Sequence, residues 1–220
     1  MSTPTRTRRS DGARTHEAIL EASAKLASVE GIHGLTIGRL ADELGVSKSG
    51  LFAHFGSKGA LQLETIQAAQ AIFDREVMEP TYAAAEGRPR LEALFAAFFS
   101  YVERGVFPGG CFFAGLLADE DARSGPVHDA AERIEREWVE GMRELVAKAK
   151  EAGHLRNDVD VEQLAFELYA FLELANYHFV LFRDTAVLER GRLAVADRLS
   201  RAARGRRGQP GQRGQPSSLR

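Results

Sequence analysis

The chain carries one cysteine, Cys111. That excludes an intrachain disulfide and any zinc site built on several thiolates, and it suits a reducing compartment. The six histidines are scattered, with no HExxH and no other metal-ligand spacing. The glycines around Pro108 follow no strand-like segment, so they imply no phosphate cradle. No catalytic constellation emerges, and neither an enzymatic activity nor a metal or cofactor is expected. A long uncharged apolar run is also missing. The most apolar segment, 161–182, contains Glu162, Glu167 and Glu173, which a membrane span would not readily accept. The N-terminus is Arg-rich, but no apolar run follows it as in a secretory signal. A cytoplasmic protein without a membrane partner is expected. Strand-like alternation and solenoid repeats are absent, so the expected fold is all-α.

What remains is ordinary globular composition, 44% hydrophobic and 27% charged over 220 residues. The net charge of −2 hides an uneven split. Residues 1–60 hold eight Lys/Arg against six Asp/Glu, and residues 201–220 hold six against none; the body between them is strongly acidic. A mildly basic head on an acidic body suits a protein that approaches nucleic acid head first; charges that merely solvate helix faces would give a similar count.

The chain is organised around TIGRLADELGVSKSGLFAHFGSK, Thr36 to Lys58. Ile37, Leu40, Ala41 and Leu44 make one stripe of a short helix. Gly45 stands where a helix end takes a left-handed residue, and Val46 is expected to plug the turn. Ser47 is a suitable N-cap for a second short helix with Leu51 and Phe55 inward. This is a helix-turn-helix pattern, whose second helix can enter the DNA major groove. The candidate DNA-contacting residues are Thr36, Ser47, Lys48, Ser49, Gly50, Phe52, His54 and Lys58. Lys48 could reach guanine acceptors, and Gly50 permits close approach. Lys58, next to a helix N-cap at Ser57, makes a plausible phosphate site.

The segment resembles the N-terminal domain of tetracycline-repressor (TetR) family regulators. The likeness lies in the preceding helix (ILEASAKLASVEGIHGLT), in LADELGVSKSGLFAHF and in the SK that opens the next helix, about 12–72. Where that family often carries Tyr near the end of the recognition helix, this chain has Phe52, which has no hydroxyl for a phosphate. FPGGCFF and the later SGPVHD resemble the C-terminal part of one TetR subgroup.

The expected division is a disordered basic arm (1–11), a three-helix DNA-binding head (12–58), a helical regulatory and dimerisation domain (59–203) and a disordered basic tail (204–220). The helix from Lys58 is expected to end near Glu79, limited by Pro80. Asp160 to Gln163 reads as a capping box. The helix it opens is apolar nearly all round, with Leu164, Leu168, Phe171 and Ala175 on one side and Phe166, Tyr169, Ala170, Leu174 and Tyr177 on another. Such a helix must be covered on both faces, and a second copy of the chain is the simplest cover. Leu174, Tyr177, Leu181 and Leu193 are the candidate dimer contacts, although the last helix read alone would turn Leu188, Leu193, Ala196 and Leu199 inward. Asp119, Glu120 and Asp121 read as a solvated acidic cluster, Cys111 as a buried thiol, and His178 as a core or interface histidine.

The resemblance further implies an apolar ligand pocket among the many aromatics of the body. Phe98, Tyr101, Cys111, Phe112, Trp138, Phe171 and His178 are its candidate residues. The function that follows is a dimeric transcriptional regulator, in its simplest form a repressor that binds a palindromic operator on double-stranded DNA. A small apolar or aromatic effector would release it. The rival is a helical interaction or enzyme domain that keeps the helix-turn-helix only as a packing unit.

Overall fold

The computed structural model describes residues 5–204, with side chains from Arg14 onward. The expected arm up to residue 4 and the tail from residue 205 lie outside the described residues. Among the described residues the fold is all-α, and the one β feature is an isolated bridge between Leu155 and Ala203.

The head is built from α1 (Thr5–Glu30), α2 (Ile37–Leu44) and α3 (Lys48–Phe55). α1 starts earlier than the sequence suggests: residues 5–11 continue the helix instead of forming a loose arm. Nothing between Thr5 and Asp11 breaks a helix, and the arginines there are good helix formers. Ala24, Ala27, Ile32, Leu35, Leu40, Ala41, Leu51 and Phe55 close the small core of the head.

α4 (Lys58–Phe73) leaves the head, and Pro80 does not end it. The helix widens into a π-turn over Asp74–Met78 and continues as α5 (Glu79–Ala83). A proline inside an α-helix lacks one donor and clashes with the carbonyl four residues back. The π-turn shifts the ladder so that the Glu79 N–H reaches the Asp74 carbonyl, and Pro80 falls in a new first turn.

The body continues with α6 (Arg88–Glu103), α7 (Phe112–Glu120), α8 (Pro126–Glu151), α9 (Val161–Phe182) and α10 (Thr185–Ala202). At the start of α9, Asp160 accepts from the Gln163 N–H at 3.1 Å, but the Gln163 side chain turns to Glu167 at 2.9 Å instead of closing the box. The inward stripe of α10 is Leu188, Gly191, Val195 and Leu199; Leu193 is 66% exposed and Ala196 is exposed too. Gly191 sets that register. A Cβ there would come within 2.8 Å of the Phe99 ring and 2.9 Å of the Ala175 Cβ, so its absence lets α10 lie tight on α9 and α6.

Candidate nucleic-acid interface and effector pocket

The recognition helix is held by short local devices. Thr36 Oγ1 accepts from Arg39 N at 3.0 Å and caps α2. Gly45 closes α2 with φ 65°, and its N–H returns to the Ala41 carbonyl. Val46 does not plug the turn; it is 49% exposed, and the turn closes through its N–H on the Ala41 carbonyl at 3.1 Å. Ser47 then caps α3 by accepting from Gly50 N at 3.2 Å. Leu51 and Phe55 pin the helix to the head from below. Ser47, Lys48, Ser49, Gly50, Phe52 and His54 are all exposed on the other side, while Thr36 is half-buried at the base of α2.

The cations of this surface differ in their engagement. Lys48 lies over Gly38, where a Cβ would be 3.5 Å from its Nζ, and has no hydrogen-bond or ion-pair partner among the described residues. Lys58 instead donates to the His33 carbonyl at 2.7 Å. It therefore ties α4 to the segment between α1 and α2, and only its remaining N–H groups can meet a phosphate. His54 packs beside the His16 ring, 5.8 Å between centroids, and His16 is fixed by Glu64 at 2.9 Å.

A cavity of about 190 Å³ lies in the body between α4, α6, α7, α8 and α9. Phe73, Phe98, Phe113, Trp138 and Tyr169 form its aromatic walls, with Cys111, Leu117 and Ile134 beside them. Phe73 is central: it meets Phe113 and Trp138 edge to face at 5.7 and 5.6 Å. Of the residues expected from the sequence, Phe98, Cys111 and Trp138 line the cavity. Tyr101 and Phe112 are buried outside its lining, and Phe171 is half-buried away from it. His178 packs at a tilt against the exposed Phe182 ring, 5.1 Å between centroids, outside the cavity lining. Burial pushes the Cys111 thiol up to about 11, so it carries little reactive thiolate.

Sequence reasoning missed Phe73, Phe113 and Tyr169 among the walls, and all of the acidic residues of this cavity. Glu135 of α8 and Glu173 of α9 line it, with Asp74 and Glu137 exposed at its rim. The Tyr169 hydroxyl donates to Glu135 at 3.0 Å. Burial raises both inner carboxyls; Glu173 is pushed up to about 7, with the neighbouring Glu135 charge adding to the effect. The signal was present: Glu173 interrupts the apolar run FLELAN, where an ionised carboxyl is costly to bury.

The acidic end of α7 also departs from expectation. Asp119 Oδ2 accepts from the Ile32 N–H at 3.0 Å, and Glu120, 3% exposed, is hydrogen-bonded to His33 Nε2. These carboxylates are joints between body and head, since Ile32 and His33 follow directly on α1. From the other side, Gln62 of α4 donates to the Ile32 carbonyl at 2.7 Å. The two-residue segment is thus gripped by α4 and α7, both of which line the cavity.

Both halves of the chain match known families. Residues 19–65 match the bacterial regulatory proteins of the tetR family, and residues 87–195 match the tetracyclin repressor-like C-terminal domain. The chain belongs to the TetR family. It is a TetR-family transcriptional regulator, with the family's N-terminal helix-turn-helix and helical C-terminal domain. The HTH-type transcriptional regulator YobS of Bacillus subtilis is 25% identical over 179 residues, 72% of this chain and 91% of YobS. A TetR regulator from Chloroflexus aurantiacus has the same fold, with a TM-score of 0.79 at 24% identity, covering 88% of this chain and 98% of that one. A regulator from Saccharomonospora viridis in complex with choline superposes at 0.68 with 21% identity, over 87% and 98% of the two chains. AibR, in complex with isovaleryl coenzyme A and operator DNA, superposes at 0.60 with 22% identity, over 74% and 85%. Among the described residues no helix is long and apolar enough to cross a membrane.

Proposed function

We propose that this regulator is a dimeric repressor whose α3 helices read two half-sites of a palindromic operator, and whose body cavity takes the effector that releases it. The observation that carries the reading is the segment Ile32–His33, held by Asp119 and Glu120 of α7 and by Gln62 and Lys58 of α4. A molecule entering the cavity presses on Phe73 of α4 and on Phe113, Ala114 and Leu117 of α7. Packed helices shift as units, so displacement at the cavity passes to the grip on the head. The heads then change their separation and no longer match two half-sites. Ligand-bound relatives support an effector of some kind, with choline in one and isovaleryl coenzyme A in another.

The dimer rests on the outer face of α9 and α10. Leu174, Tyr177 and Leu181 form one stripe, 56%, 62% and 58% exposed, flanked by Phe166, Phe182 and Leu193. An apolar patch of that kind marks an interface, and a two-fold pairing of the same patch closes it. The DNA contacts assigned are base contacts for Lys48, with Ser47 and Ser49 on bases or phosphates, close approach at Gly50, and phosphate contacts for His54 and Lys58. Thr36 and Phe52 flank the groove.

Asp119→Ala tests the coupling. It removes the acceptor for the Ile32 N–H and leaves the cavity lining intact. Effector affinity measured without DNA is expected to stay unchanged, while the effector's weakening of operator binding shrinks by about 1–3 kcal/mol of coupling energy. Full release by effector in Asp119→Ala, seen by fluorescence anisotropy of a labelled operator, would contradict this route.

A further inference from the structure

The cavity has a charge pattern that an apolar effector does not explain. Two carboxylates, Glu135 and Glu173, sit among five aromatic rings, and two more, Asp74 and Glu137, stand at the rim. Among the described residues no lysine, arginine or histidine lines the space. Glu135 has one donor among the described residues, the Tyr169 hydroxyl. Glu173 has no hydrogen-bond or ion-pair partner among the described residues. Partly buried carboxylates placed close together without a cation oppose each other and their own ionisation. A purely apolar ligand would leave them desolvated and unpaired, which is the costly arrangement. An anion would add a third like charge.

A cation meets both features at once. It pairs with the carboxylates, and its methyl or methylene groups, carrying part of the positive charge, suit the electron-rich faces of Phe, Tyr and Trp. The volume limits its size. A space of about 190 Å³ is below the ~300–1,000 Å³ of clefts that hold drug-sized molecules. That leaves room for about one ring or a compact branched group together with its ammonium. We propose that the cavity selects a small lipophilic cation, an amine or quaternary ammonium on an apolar body, seated between Glu135 and Glu173. This rests on the reading of the cavity as the effector site and adds the ligand's chemical class to it.

The inner carboxyls also set a pH signature. Glu173 of α9 interacts electrostatically with Glu135 of α8, Tyr169 on its own helix and Cys111 before α7, and shares the cavity with Glu137 of α8 and Asp74 of the π-turn. The Cys111 thiol and the Tyr169 hydroxyl are held above their ordinary values and keep their protons at neutral pH. Glu173, raised to about 7, and Glu135, which burial holds above its ordinary value, lose theirs as the pH climbs. A cation therefore competes with protons at low pH and binds more tightly as pH rises.

Calorimetric titration of the full chain with three benzyl probes tests this: benzyltrimethylammonium, its neutral carbon isostere neopentylbenzene, and the anion phenylacetate. At about pH 8 the cation is expected to bind about tenfold or more tightly than either other probe. Its affinity should fall as the pH is lowered to about 5. Glu173→Gln and Glu135→Gln should each lower cation affinity about tenfold while leaving the neutral isostere within about twofold. Glu173→Gln should also flatten the pH dependence. A neutral isostere or anion that binds as tightly as the cation overturns the proposal, as does no cation binding at millimolar concentration. Release of a labelled operator, followed in parallel, separates the two readings. A cation that binds but does not release DNA upholds the cation site and refutes the effector role. Release by the neutral probe or the anion, with no cation binding, does the reverse.

Discussion

The head and the body solve opposite problems. The recognition surface of the head is polar, exposed and assembled from neighbours in sequence: Thr36, Gly45, Ser47 and Gly50 each act within five residues of their partner. The cavity of the body is recessed, aromatic and acidic, and its walls come from five helices spread between Gln70 and Glu173. One region must fit a nucleic acid whose backbone geometry does not vary, so a small set of local rules suffices. The other, as the proposed effector site, has to fit one small molecule through side chains that only the packing of several helices brings together. The two meet at the segment Ile32–His33, held from α4 and α7, both of which line the cavity, and at Ser28 of α1, whose hydroxyl accepts from the Gly109 N–H.

The contrast can be broken most severely at a third surface, the proposed dimer face of the body, on which the pairing of the heads would depend. Leu174→Arg places a charge in the exposed stripe of α9. Because Leu174 is already 56% exposed, the fold should survive while a two-fold pairing does not. We expect monomers by light scattering at micromolar concentration and loss of operator binding, with unchanged helical circular dichroism. A variant that remains dimeric would move the interface away from α9.

Within the head the expected effect is smaller and local. Lys48 is exposed and has no partner among the described residues, so it is available to a base. Lys48→Ala should weaken operator binding by about 1–3 kcal/mol and relax preference at one base pair per half-site. An equal loss on every duplex sequence would reduce it to a phosphate contact.

Within the body the matching substitution should strengthen the protein. The unfolded chain loses the Glu173 proton near 4.5 and the folded chain near 7. A raised carboxyl favours the folded state at low pH, and that advantage disappears as pH rises through the interval; above about 7 the penalty is complete. Glu173→Gln lacks the penalty. Urea unfolding should show the variant more stable by about 1–3 kcal/mol at pH 8 and no more stable at pH 4. An equal gain at both values would point to packing in place of ionisation.

The same contrast governs what could be read from residues alone. The α2–α3 turn, the caps at Ser47, Ser57 and Asp160, and the helix end at Gly31 were legible because cause and effect lie within one helical turn. Pro80 misled because a π-turn upstream re-registers the helix where the π-turn and α5 pack against α6. Asp119 and Glu120 looked like a solvated cluster because nothing in their own stretch announces Ile32 and His33, 87 residues away. Glu135 sits in a helix full of exposed glutamates, and only the crossing of α8 over α9 turns it toward Tyr169. Leu193 was ambiguous for a similar reason: Gly191 fixes the face that α10 buries, and a glycine carries no hydrophobic signal.

The most direct test of the account is selection of bound sites from random duplexes by the full-length chain at near-physiological salt. A dimer reading DNA through α3 predicts one enriched palindrome. Its two half-sites should be related by a dyad, with centres about 34–36 Å apart or a multiple of that distance. Enrichment of a single asymmetric half-site would contradict the two-headed dimer, and no enrichment above non-specific binding would contradict operator recognition itself.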